Sequence, residues 1–167
     1  MRHIEVFTGA RAVEDSPASR VWAADLVDAV LRDLPNGSLV VVGDARGLDA
    51  LVCYRAQALG FAVRRFALDG WAYGHEDFGD ARQLWQWGPR DVPAYGTPER
   101  KRWPLDRNDA MVRYVAQLAA SGDTAHVTGA IVGPSRGTRY TINAAARAGL
   151  TTCAYEMPDG AGPWSSP

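Results

Sequence analysis

Three short stretches of this sequence set glycine beside arginine: Thr8-Gly9-Ala10-Arg11, Gly43-Asp44-Ala45-Arg46-Gly47-Leu48-Asp49 and Gly133-Pro134-Ser135-Arg136-Gly137-Thr138. Each follows a β-branched apolar run and precedes a segment of helical periodicity, so each reads as a strand-to-helix turn. Glycine there lets the backbone approach a ligand closely or take positive φ, and the following helix offers unpaired N–H groups and a partial positive end. The chemistry is anion binding. Arg11, Arg46 and Arg136 add guanidinium forks that match phosphate oxygens, while Thr8, Ser135 and Thr138 add hydroxyl donors. Asp49 suits the start of its helix; Asp44 does the same or accepts from a sugar hydroxyl. One such turn is most simply tight punctuation between strand and helix, whereas three together favour a shared site. No Gly-x-Gly-x-x-Gly follows the first strand and no Gly-Lys-Ser/Thr step occurs, which disfavours an ordinary NAD fold or a P-loop. The cradle has to be assembled from several loops, and the residues call for neither a metal nor a cofactor.

The elements that must position these turns are readable from periodicity. His3 to Phe7 forms a first strand, and Ser16-Pro17 then supplies an N-cap and a first-turn proline. Trp22, Ala23, Leu26, Val27, Val30, Leu31 and Leu34 recur at helical spacing until Pro35-Asn36-Gly37. Leu39 to Val42 is a continuous run suited to a strand covered on both faces, and a helix from Leu48 to Leu59 leads to a third strand at Phe61 to Leu68. Regularity returns at Pro104 with an amphipathic helix, then a strand at His126 to Val132, a small-residue helix at Thr138 to Ala148 and a strand at Leu150 to Tyr155. This alternation predicts an α/β, Rossmann-like open parallel sheet of about five strands with helices on both faces. Ligands of such sheets bind outside the carboxyl ends of the strands, where the strand order reverses. With 167 residues the chain is expected to hold a single domain over 1–156, an aromatic-rich loop insertion at 69–104 and a peripheral tail at 157–167.

Within the insertion, Trp71, Tyr73, Phe78, Trp85, Trp87, Tyr95 and Trp103 alternate with Arg82, Arg90, Arg100, Lys101 and Arg102. They read first as an apolar cluster packing the loop onto the sheet or a neighbouring subunit, and second as a stacking surface for a base or a single strand. His75-Glu76-Asp77 with Asp80 reads as surface polarity ahead of a metal site, because adjacent residues do not converge on one ion. The 18 basic and 19 acidic side chains leave a formal charge of -1, which argues against a duplex nucleic-acid partner. Cys53 and Cys153 lack the spacing of a disulfide framework or a zinc site. No run of apolar residues reaches membrane-spanning length, so no membrane partner is expected and a cytoplasmic location is the default. The small residues of Ala144 to Ala148 suit close contact between copies, and a homo-oligomer is expected.

In combination, Thr8-Gly9-Ala10-Arg11, Gly43 to Ala50, Trp71, Arg107-Asn108-Asp109-Ala110-Met111 and Arg136-Gly137-Thr138 resemble the SLOG superfamily, the Rossmannoid group named for the SMF/DprA and Lonely Guy proteins. The resemblance is to its small stand-alone YspA-type branch, whose pattern runs TGSR, GGARGAD, a Trp, RNxxM and GRGT, and it covers roughly residues 3 to 156. It implies a pocket at the strand ends for a nucleotide-derived ligand, with Gly43 to Asp49 and Gly133 to Thr138 holding phosphate. It also brings in Arg107 and Asn108 for sugar or phosphate and Trp71 for the base; on the residues alone, Arg107 and Asn108 read as a solvated first turn. The Lonely Guy phosphoribohydrolases carry PGGxGTxxE, and Thr141 stands where their catalytic Glu would be. A hydroxyl cannot replace that carboxylate in N-glycoside cleavage. The expectation is therefore a binding module that senses, carries or sequesters its ligand. The alternatives are a nucleotide hydrolase of the phosphoribohydrolase type, with Asp44, Asp49 or Glu76 as acid or base, and a module for single-stranded nucleic acid in the manner of DprA.

Overall fold

A computed structural model describes residues 1–75, 82–86, 94 and 96–158. Its strands are β1 (His3–Gly9), β2 (Leu39–Val42), β3 (Ala62–Phe66), β4 (Trp71–His75), β5 (Arg82–Gln86), β6 (Thr124–Ile131) and β7 (Thr151–Glu156). Its helices are α1 (Pro17–Asp33), α2 (Leu48–Ala58), α3 (Pro98–Ala120) and α4 (Arg136–Arg147). The sheet order is β5-β4-β3-β2-β1-β6-β7. β1, β2, β3, β6 and β7 pair in parallel, which is the expected Rossmann-like five-stranded sheet. The chain steps outward from β1 to β3 and later returns to place β6 on the other side of β1. The strand order therefore reverses between β1 and β6.

Local chemistry explains the main elements. Ser16 caps α1: its Oγ accepts from the Ser19 N–H at 3.0 Å, and Ser19 Oγ accepts from the Ser16 N–H at 3.2 Å, with Pro17 fixed in the first turn. All four residues of β2 are buried, because each face of the sheet is covered. Trp22, Leu26 and Val27 of α1 and Val52 of α2 pack over Phe7, Val40 and Val42 on one face. Met111 and Val115 of α3 and Ala145 of α4 pack over Ile4, Val6, Val41 and Val127 on the other. Where β1 ends, a Cβ on Gly9 would lie 2.2 Å from Leu48 Cδ2, so glycine is what allows the start of α2 to sit against the strand end.

The expected loop at 69–104 is corrected in its outer parts. β4 pairs antiparallel with β3 and β5 antiparallel with β4, extending the parallel sheet by two strands. The connection is tight: the Gly70 N–H donates to the Ala67 carbonyl at 3.3 Å with Gly70 at φ 86°. Gly74, which resembles a loop signal in the sequence, marks a close backbone approach, since a Cβ there would stand 2.1 Å from the Val63 carbonyl oxygen. α3 begins at Pro98, six residues before the expected start at Pro104. Thr97 caps it by accepting from the Arg100 N–H at 3.3 Å, and Pro104 lies inside the helix. Trp103 is buried in α3 with the Arg100 guanidinium 4.7 Å from its ring centre. Glu76, Asp77, Phe78, Asp80, Trp87, Arg90 and Tyr95 lie outside the described residues, as do 159–167 of the expected tail. The side chains of Trp71, Tyr73, His75, Arg82 and Trp85 are likewise not among the described groups.

Cys53 is buried and Cys153 half-buried. Among the described residues no helix is long and apolar enough to cross a membrane. Gly9→Ala tests the strand-to-helix contact. Forcing a methyl into Leu48 should cost about 1 to 3 kcal/mol of unfolding free energy, read from the urea midpoint; an unchanged midpoint would contradict the packing described.

Candidate functional site

A cleft of about 360 Å³ opens at the carboxyl ends of β1 and β6. Thr8 and Gly9 line it from the end of β1, and Arg11 from the turn that follows. Asp49 contributes from α2, Arg107 and Asn108 from α3, and Ser135, Gly137 and Thr138 from the start of α4. Pro104, Leu105 and Met111 of α3 add an apolar wall that the sequence reading did not include. All three Gly/Arg turns thus border one hollow.

Their arginines do not all enter it. Arg11 lines the cleft, whereas Arg46 and Arg136 are exposed and are not among its lining residues. Arg46 precedes Gly47, the N-cap of α2, and Arg136 is the first helical residue of α4. Gly133, at φ 61°, turns the chain on the exposed side. Gly47, at φ 85°, has its N–H held by Glu14 Oε1 at 3.0 Å, which ties the turn before α2 to the turn after β1.

Arg107, from α3, does border the cleft. It is 6 % exposed, against the reading of the residues alone as a solvated first turn, because α3 starts earlier and carries this position onto the sheet. Arg107 Nη1 donates to Asp44 Oδ1 at 2.5 Å and Nε to Asn108 Oδ1 at 3.1 Å. Asp44 Oδ2 accepts from the Leu68 N–H at 3.1 Å. Asp44 is therefore a bracket between the ends of β2 and β3 and the helix α3. It does not line the cleft.

Asp49 is also buried, and its Oδ2 accepts from the Ala45 N–H at 3.1 Å. Burial pushes its carboxyl up to about 6, with the Arg107 charge and the Ala45 hydrogen bond opposing that shift. Gly43 makes the arrangement possible: a Cβ there would lie 2.6 Å from Asp49 Oδ2 and 2.9 Å from the Arg107 guanidinium carbon.

The start of α4 is unusual. Ser135 adopts left-handed backbone angles, φ 39° and ψ 50°, a conformation that costs a non-glycine residue about 1 kcal/mol or more. Its hydroxyl accepts from the Val132 N–H at 3.0 Å and donates to the Val132 carbonyl at 2.7 Å. It does not cap the helix, and among the described residues the first-turn N–H groups of α4 have no side-chain acceptor. Two residues of that turn, Gly137 and Thr138, border the cleft. Thr141 is turned away from such use, because its Oγ1 is buried and donates to the Gly137 carbonyl at 2.9 Å.

A second polar group lies within the sheet. Buried Glu5 accepts from His126 Nδ1 at 2.9 Å and from the Thr128 hydroxyl at 2.6 Å. Its hydrogen bond holds the His126 imidazole above the usual histidine range, with burial opposing. In the sequence this pair shows only as a break in strand alternation at Glu5.

Both perturbed groups bind protons more tightly folded than unfolded, so both make stability fall with rising pH. Asp49 acts between its ordinary value near 4 and about 6, and His126 acts above its ordinary 6.5. Asp49→Asn should be equal in stability to the wild type near the acid end of that first window. It should become the more stable protein by about 2 to 3 kcal/mol at neutral pH. Urea midpoints of both proteins across that range check this, and a pH-independent difference would refute it.

Comparison of the chain with protein-family models, with curated proteins and with solved structures finds no match.

Proposed function

We propose that the cleft binds a small nucleotide-derived ligand and that the protein works as a sensor, carrier or sequestering module for it. The observation that carries this reading is the uncapped first turn of α4, with Gly137 and Thr138 in the cleft wall and Arg11 lining the same cleft. Free helix N–H groups, a dipole's positive end and a guanidinium together favour a phosphate. In this reading Thr8 and Ser135 border the phosphate, and Arg107 and Asn108 lie nearer the sugar. The cleft, at about 360 Å³, is near the lower end of the roughly 300 to 1,000 Å³ usual for small-molecule pockets, which favours one nucleotide over a dinucleotide. The motif resemblance to the SLOG superfamily supports the same assignment.

A second reading, hydrolysis of a nucleotide's N-glycosidic bond, is favoured by one observation: Asp49 borders the cleft and changes protonation near neutral pH. Thr141 offers that chemistry nothing, since its hydroxyl is spent on its own helix. Incubation with nucleoside monophosphates and NAD separates the two readings. Release of free base makes the protein an enzyme, and its absence at high protein concentration retires hydrolysis of those substrates.

The binding reading predicts a thermal shift. A nucleotide at 100 times its dissociation constant contributes about 2.7 kcal/mol, which for a domain of this size is roughly 5 to 10 °C. Arg11→Ala should weaken that ligand about tenfold or more, the usual cost of losing a hydrogen bond to a charged group. Flat melting curves across mononucleotides, dinucleotides, cyclic nucleotides and ADP-ribose derivatives would overturn the proposal.

A further inference from the structure

The phosphate reading leaves one wall of the cleft unexplained, and the inference drawn from that wall rests on the reading. Arg11 and the start of α4 suit an anion, but Asp49 brings a carboxylate to the same cleft. It is 6 % exposed, its Oδ2 is taken by the Ala45 N–H, and among the described residues no group hydrogen-bonds its Oδ1. The charged groups that face it are Arg107 from α3, Asp44 from the turn before α2 and Arg65 from β3. No hydrogen bond joins Arg107 to Asp49; the guanidinium donates instead to Asp44 and Asn108. Asn108 in turn uses its Oδ1 for Arg107, so both N–H groups of its amide remain for a guest. The Oδ1 of a largely buried carboxylate and the amide N–H groups of a largely buried Asn108 thus border one hollow with no partner among the described residues.

An anion placed beside a carboxylate is repelled unless the part of the ligand nearest the carboxylate donates to it. The dianion of a phosphate monoester has no O–H to give, and neither has the face of a base. A hydroxyl can donate, and a vicinal pair of hydroxyls answers both an acceptor and a donor, since each hydroxyl gives one hydrogen bond and takes another.

We propose that Asp49, with Asn108, is the sugar-reading element of the cleft, and that the ligand is a phosphate ester of a sugar whose vicinal hydroxyls are free. Asp49 Oδ1 accepts from one hydroxyl and the Asn108 amide donates to its neighbour. The phosphate lies away from Asp49, toward Arg11 and α4. A ribonucleotide and a free ribose phosphate share this chemistry, so both are probed.

The experiment is calorimetric titration of the full chain, with EDTA present. The probes are a ribonucleoside 5′-monophosphate, its 2′,3′-dideoxy counterpart, ribose 5-phosphate and inorganic phosphate. At about pH 7.5 the ribonucleotide should bind about tenfold or more tightly than the dideoxy compound. Toward about pH 5 that preference should shrink, because Asp49 takes up its proton near 6 and no longer accepts as an anion. The phosphate's own titration in that range cancels in the ratio, since both compounds carry it. In Asp49→Asn the preference should be lost and its pH dependence with it. The wild-type ratio needs no variant to fold, so it decides the matter by itself.

If ribose 5-phosphate outbinds inorganic phosphate about tenfold or more, the proposal stands with the sugar phosphate as the minimal ligand. If that gain appears only with the ribonucleotide, the proposal stands with the base contributing. Equal binding of the ribo and dideoxy compounds at about pH 7.5 overturns the sugar assignment and leaves the phosphate reading in place. Failure of every probe to bind overturns that reading and this one together.

Discussion

A guanidinium buried at the ends of parallel strands must be paired, since an unpaired charge there costs several kcal/mol. Arg107 meets that requirement through Asp44 and Asn108, and the rest of the site follows from the way it does so. Asp44 is held in turn by the Leu68 N–H, so one carboxylate joins the end of β2, the end of β3 and the third turn of α3. The same pairing keeps Arg107 from closing on Asp49. Asp49 therefore feels the positive charge through space, keeps one oxygen open to the cleft and retains a carboxyl that titrates near neutral pH. Gly43 lies beneath both side chains, and its missing Cβ is the space they occupy. Had Asp44 been absent, the nearest carboxylate for Arg107 would be the one that borders the cleft.

Backbone geometry supplies what side chains alone would not. The left-handed angles of Ser135 are unfavourable for a residue with a Cβ, yet they let its hydroxyl close a local ring on Val132. That ring consumes the hydroxyl that would otherwise cap α4. A helix start without an intramolecular cap is less stable by about 1 kcal/mol, and at this place its free N–H groups border a solvent-open hollow. Strain and an absent cap thus fall at the same residue, and that helix start borders the cleft. The start of α2 likewise has no side-chain cap, but its N-cap is Gly47, for which φ 85° carries little strain.

Much of this was legible from residue types. The Ser16-Pro17 cap, the unbroken Leu39 to Val42 run and the glycines that end α2 and α4 set the parallel core, because each is a local preference that tertiary packing reinforces. The position of the three turns at one rim follows from strand order. β4 was hidden for a physical reason: a short strand on an antiparallel edge takes its stability from the neighbour it pairs with and carries little pattern of its own. The start of α3 was legible in principle, since Thr97-Pro98-Glu99 is as good an opening as Ser16-Pro17. Pro104 drew attention from it. The burial of Arg107 was not legible, because its partner Asp44 lies 63 residues away and no spacing rule links the two. Nor does residue type distinguish Arg11, which lines the cleft, from Arg46 and Arg136, which do not.

The two walls belong to opposite faces of the sheet, and that has a consequence for recognition. α2 packs with α1 on one face, while α3 and α4 pack on the other, so the cleft crosses the sheet where β1 and β6 end. A ligand seated there would lie across the strand ends, touching Asp49 from one layer and the first turn of α4 from the other. These groups share no hydrogen bond and rest on different cores, so changes to one should leave the other in place. Phosphate affinity and discrimination among sugars would then be separate properties of the site. The first would be set by a helix start and Arg11, the second by a carboxylate whose ionisation depends on a neighbouring ion pair. In the proposed site such a division would let specificity drift while anion binding stayed fixed, because the helix start offers backbone N–H groups and Asp49 and Asn108 offer side chains.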